Sequence, residues 1–123
     1  MPTSEIRPAS QFLDIWVRHD WTNGVQVESL GSFAQFEIRT RNSVYEVAVI
    51  DGPAREILVR GGHFFPEWTE ARLVGASRGG GLLKLGGVYV GFSVEIASPH
   101  RNVVTTRVRS VTVGSGDTNE RTS

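Results

Sequence analysis

The sequence predicts an all-β fold: a small antiparallel barrel or highly curved sheet, with one short N-terminal helix. Three observations lead there. Short apolar runs alternate with period two, most regularly in Val88, Val90, Phe92, Val94 and Ile96, the pattern of strands with one buried face. Nine of the fourteen glycines fall between Gly61 and Gly91, several paired or tripled at the ends of those runs. Glycine takes positive φ without steric cost, so such pairs mark hairpins and bulges. Helical spacing stands out once, in Phe12, Leu13, Trp16 and Val17 behind Ser10, a suitable N-cap.

Taken in order, residues 1–9 are polar and carry two prolines, which predicts a flexible lead. The helix is expected over 10–19, with Leu13, Trp16 and Val17 covering an open end of the sheet. Asn23-Gly24 then breaks the pattern. Strands are expected at 25–29, 33–40, 44–51, 55–60, 70–76, 82–85, 88–96 and 103–113, with turn signals at Arg41-Asn42-Ser43 and Asp51-Gly52-Pro53. In the last strand Val104, Thr106 and Val108 share one face, whereas Val111 and Val113 have the opposite parity. A β-bulge near Arg109-Ser110 would reconcile them. Residues 114–123 carry no apolar side chain and read as a disordered tail. A single domain over 10–113 is the expected organisation.

Composition narrows the chemistry. The 123 residues hold no cysteine, which excludes thiolate metal sites, cysteine nucleophiles and disulfides. Thirteen basic side chains balance thirteen acidic ones; this argues against a domain given over to the phosphate backbone, yet leaves room for a local basic patch. The start of the chain lacks the basic and apolar runs of a signal peptide, and no stretch approaches a membrane span, so a cytoplasmic protein without membrane contact is expected.

The motifs resolve mainly into structure. Gly75-Ala76-Ser77-Arg78-Gly79 fits G-x-S-x-G, but three glycines follow where a nucleophile elbow needs a helix, and an acid–histidine order is poorly met by Glu95 and His100. Arg78 beside Gly79-Gly80-Gly81 could serve an anion in a backbone nest, although neither phosphate-loop pattern is complete. The Arg-Gly-Gly triplets at Arg60 and Arg78 each close an expected strand and read as turns. His63 and Glu67 are interrupted by Pro66 and lack a third ligand, so no metal and no cofactor is expected. His19 and His100 read as surface residues.

Two groups remain as candidate sites. His63, Phe64, Phe65 and Trp68 form an aromatic loop suited to a protein partner or to stacking, if it is not buried. Arg39 and Arg41, with Arg107 and Arg109, form two i, i+2 pairs; were their strands adjacent, four guanidinium groups would converge into an anion or nucleic-acid site, with Arg78 as a further candidate. Cross-strand pairing with Glu37, Glu46 and Glu56 is the alternative.

The strings T-R-N-S-V-Y-E at 40–46, I-L-V-R-G-G at 57–62 and T-T-R-V-R-S at 105–110 resemble an uncharacterised family of small bacterial all-β proteins, over roughly 33–113. Gly81 and Arg107 depart from that pattern, standing where a serine and a proline are expected. The resemblance implies a compact β-fold and no activity. Together these readings lead to a non-enzymatic binding or assembly module, a homo-oligomer using the aromatic loop. A nucleic-acid-binding domain using the arginines is the alternative.

Overall fold

The computed structural model describes residues 23–78 and 82–114. The expected lead, the helix over 10–19 and the tail from 115 on lie outside them. The described chain is a succession of antiparallel strands: β1 Gly24–Gln26, β2 Gln35–Thr40, β3 Val44–Asp51, β4 Glu56–Gly61, β5 Phe65–Ser77, β6 Leu83–Leu85, β7 Gly87–Tyr89, β8 Ser93–Ala97, β9 Asn102–Val104 and β10 Val108–Val113. They form a large sheet in the order β10-β2-β3-β4-β5-β8-β9, with β6 also on β5, and a two-stranded sheet of β1 and β7. Helical geometry among the described residues is confined to a 3-10 turn at Val27–Ser29.

Alternation decides which face is buried. β2 turns Phe36, Ile38 and Thr40 inward and leaves Arg39 out; β3 buries Tyr45, Val47 and Val49; β4 buries Ile57 and Val59. These join Leu73, Val94, Ile96, Val103 and Val108 in one core. Full burial of each such aliphatic side chain contributes about 2 kcal/mol. The polar residues between them are thereby fixed on the outer face, where any binding surface of β2, β3 and β4 must lie.

Turn chemistry sets which strands meet. At 41–43 the Thr40 N–H donates to Ser43 O at 2.9 Å while the Ser43 N–H donates to Thr40 Oγ1 at 3.2 Å. In the β4–β5 hairpin, Gly61 has φ 131° and a Cβ there would lie 2.1 Å from Val44 O. Only glycine lets β4 approach β3 so closely. The β2–β3 turn and the β4–β5 hairpin therefore leave the same end of the sheet side by side.

The expected barrel is not there: the strand ladders do not close into a ring. The reason is visible where closure would occur. Thr105 Oγ1 accepts the Val94 N–H at 3.0 Å, and Thr105 Oγ1 donates to Thr106 O at 2.6 Å. A side chain thus shares a ladder donor, and the chain leaves strand geometry over 105–107, separating β9 from β10. Two backbone bonds, Gly91 N–H to Val108 O and Val108 N–H to Phe92 O, each 2.9 Å, are what links the start of β10 to the segment before β8.

Other expectations also change. The run 88–96 is interrupted at 90–92, where Gly91 has φ 93° and the Phe92 N–H turns back to Tyr89 O. Phe92 consequently packs with Tyr89 and Ala76 in a satellite cluster, away from Val94 and Ile96. In the last run, Val103 and Thr105 face inward while Val104 and Thr106 are exposed, so the latter two do not share a face with buried Val108 as expected; the break at 105–107 changes the parity between them. The bulge at Arg109 is present as a register shift between Val108 and Ser110. Phe65 to Trp68, expected as loop, begin β5.

Candidate nucleic-acid interface

β10 pairs with β2, so the condition for the arginine cluster is met. Val108 lies opposite Thr40, both buried, and Ser110 lies opposite Arg39, with Arg109 as the bulged residue between. The inward pair fixes what surrounds it. Arg39 and Arg41 flank Thr40, Arg107 and Arg109 flank Val108, and all four are exposed. Antiparallel neighbours stand about 5 Å apart at Cα, so the backbone positions of the four arginines lie close together around this pair. The bulge contributes directly: it inserts the extra residue that adds Arg109 to this area.

The carboxylates that would neutralise the cluster are mostly engaged or distant. Glu46 accepts from Arg60 Nε at 2.9 Å, and both Arg60 donors reach the same oxygen. Glu56 lies across the sheet, opposite Asp51 and Arg72. Glu37 Oε1 is 3.9 Å from Arg39 Nε, an exposed and loose contact of small worth. No ion pair joins Arg41, Arg107 or Arg109 to another described residue. Arg78 is connected indirectly: its guanidinium lies 5.5 Å from the Phe92 ring centroid, and Phe92 O accepts the Val108 N–H.

The aromatic group divides. Phe65 is 2 % exposed and belongs to the core, which removes it from the expected partner-binding set. Phe64 and Trp68 remain 45 % and 42 % exposed, and His63 is exposed beside Phe64 in an edge-on arrangement. Arg60 stacks over Trp68 at 4.6 Å and Arg101 over Phe64 at 5.2 Å, within the range of cation–π attraction. Sequence reasoning missed these two arginines as site residues. Arg60 reaches Trp68 across the β4–β5 pairing, and Arg101 comes from the β8–β9 turn; no local spacing signals either. It also missed Phe33, 83 % exposed with φ 71°, at the opposite end of β2.

The rest of the surface offers little for catalysis. An open cleft of about 400 Å³ is lined by Ile50, Glu56, Ile57, Glu70, Ala71, Arg72, Ala97 and Pro99, with no nucleophile beside a base. Ser77 Oγ is buried and has no hydrogen-bond partner in the described structure, and Ser77 ends a strand where an elbow requires a turn into a helix. Tyr89 donates to Gln26 Oε1 at 2.9 Å, and burial first, then nearby Glu28, raises its phenol above its usual pKa. Among the described residues no metal-binding group of His, Asp and Glu gathers, and no helix is long and apolar enough to cross a membrane. No protein-family model, curated protein or solved structure matches the chain.

Proposed function

We propose that this chain is a non-enzymatic binding module whose β2–β10 arginine cluster takes the phosphate backbone of a nucleic acid. One observation carries the reading: Arg39, Arg41, Arg107 and Arg109 surround a single inward pair, Thr40 and Val108, and three of them have no carboxylate partner among the described residues. Like charges gathered without counter-charge destabilise a fold slightly, and arginine forks match phosphate oxygens in a bidentate way. Zero net charge is compatible with this, because phosphate binding depends on the local field rather than the total.

The test is a fluorescence anisotropy titration of a labelled oligonucleotide at about 50 mM salt, repeated at about 200 mM. The proposal expects saturable binding that weakens as salt rises. A flat trace at low salt overturns it. A self-assembling module is the competing reading, carried by the exposed rings of Phe64 and Trp68; light scattering that finds a dimer stable at high salt, with no affinity for the oligonucleotide, would favour it.

A further inference from the structure

We infer, resting on the phosphate reading above, that the nucleic acid is single-stranded and that its bases stack on the Arg60–Trp68 and Arg101–Phe64 platforms while its phosphates lie on the arginine cluster. The register places the arginine cluster and the Arg60–Trp68 platform on one continuous outer face. Thr112, Glu37, Glu46 and Arg60 are successive cross-strand partners over β10, β2, β3 and β4, and Arg60 carries the row onto Trp68. Arg39 lies two residues along β2 from Glu37. With strands about 4.8 Å apart, the cluster and Trp68 are separated by roughly 15 Å, a span that a few nucleotides cover.

The acids on that path are not bare. Glu46 is held by Arg60, and Glu37 lies near Arg39. The two rings are the part that phosphate binding alone leaves unexplained. Large aromatics held more than 40 % exposed beside a cationic surface forgo burial, and a guanidinium over each ring holds it in a defined plane. A ring or a stacked guanidinium accepts a base only when that base is out of its pair. In a duplex the bases are stacked on one another, so these platforms would have nothing to hold. Unpaired strands offer both groups at once.

The experiment compares three probes of about 12 nucleotides, a length within single-strand site sizes: oligothymidylate, an abasic phosphodiester of equal length, and a duplex. Oligouridylate repeats the first as RNA. The inference expects the thymidylate to bind about tenfold more tightly than the abasic strand and more tightly than the duplex. Trp68→Ala should lose about tenfold for thymidylate and nothing for the abasic strand, with Trp68→Phe recovering most of the loss. Equal affinity for the thymidylate and abasic strands, or equal weakening of both by Trp68→Ala, overturns the stacking while leaving the phosphate site standing. Binding to none of the probes instead overturns the function on which it rests.

Discussion

Two arginine-bearing regions lie on the same outer face and differ in what surrounds them. Around β3 and β4, Arg60 is satisfied within the fold: its guanidinium donates to Glu46 and covers Trp68. Around β2 and β10, Arg41, Arg107 and Arg109 have neither carboxylate nor ring partner among the described residues. The residue type is the same in both places. Availability, set by strand pairing, separates an internal organiser from a surface that can take an external anion.

The largest expected effect comes from reversing the charge of the open region. Replacing Arg41, Arg107 and Arg109 together by Glu should weaken oligonucleotide binding by about 100-fold or more at low salt, since each lost phosphate contact also loses counterion release. Circular dichroism should show an unchanged fold, because all three are exposed. Arg60→Gln should cost less in phosphate binding; if it costs as much as the triple variant, the distinction between the regions fails.

Next in size is the support of the paired region. Gly61→Ala introduces a Cβ against Val44 O at a φ that alanine resists, and should destabilise the protein by about 2–4 kcal/mol. Thermal or denaturant unfolding measures it. Loss below about 0.5 kcal/mol would show that the hairpin does not depend on this close approach.

A smaller substitution converts one region toward the other. Glu46→Gln should release Arg60 and tighten oligonucleotide binding by about two- to fivefold at low salt, with stability changed by less than about 1 kcal/mol because the pair is exposed. Weaker binding by the same titration would show that Glu46 orders the surface more than it neutralises it.

The smallest effect separates the arginines from the one perturbed phenol. Tyr89 has its pKa raised in the folded state, so the unfolded chain releases this proton first and stability falls as pH rises above about 10. Tyr89→Phe should remove that part of the alkaline slope, at a cost of about 1 kcal/mol near neutral pH from the lost bond to Gln26. Denaturant melts of both proteins from neutral to alkaline pH check the sign; an unchanged slope contradicts the assignment.

How much of this was legible in the sequence follows from which signals are local. Alternation in Val44–Asp51 fixed a strand and its faces, and the parity change between Val108 and Val111 located the bulge that adds Arg109 to the cluster. Alternation also put Arg39 on an outer face. It could not say that β10 lies beside β2, a pairing of residues about seventy positions apart, so the cluster stayed conditional until the register was known. Phe65 and Phe64 are neighbours in sequence and opposite in fate: Phe65 begins β5 on the inward parity of Ala71 and Leu73, whereas Phe64 lies in the turn before it, and a strand expected only over 70–76 reaches neither ring. The barrel failed for a similar reason: periodicity cannot show that a threonine hydroxyl takes the Val94 N–H where the ring would close.

The most direct measurement of the central claim is the slope of log K against log salt for single-stranded oligonucleotide binding, taken on the wild type, on a variant with Arg41, Arg107 and Arg109 all changed to Gln, and on Arg60→Gln. Each single-strand phosphate contact contributes about −0.7 to that slope. The account predicts about −2.8 for the wild type with four phosphate contacts, about −0.7 for the triple variant, in which Arg39 remains, and a nearly wild-type slope for Arg60→Gln. A triple variant that keeps the wild-type slope would contradict it.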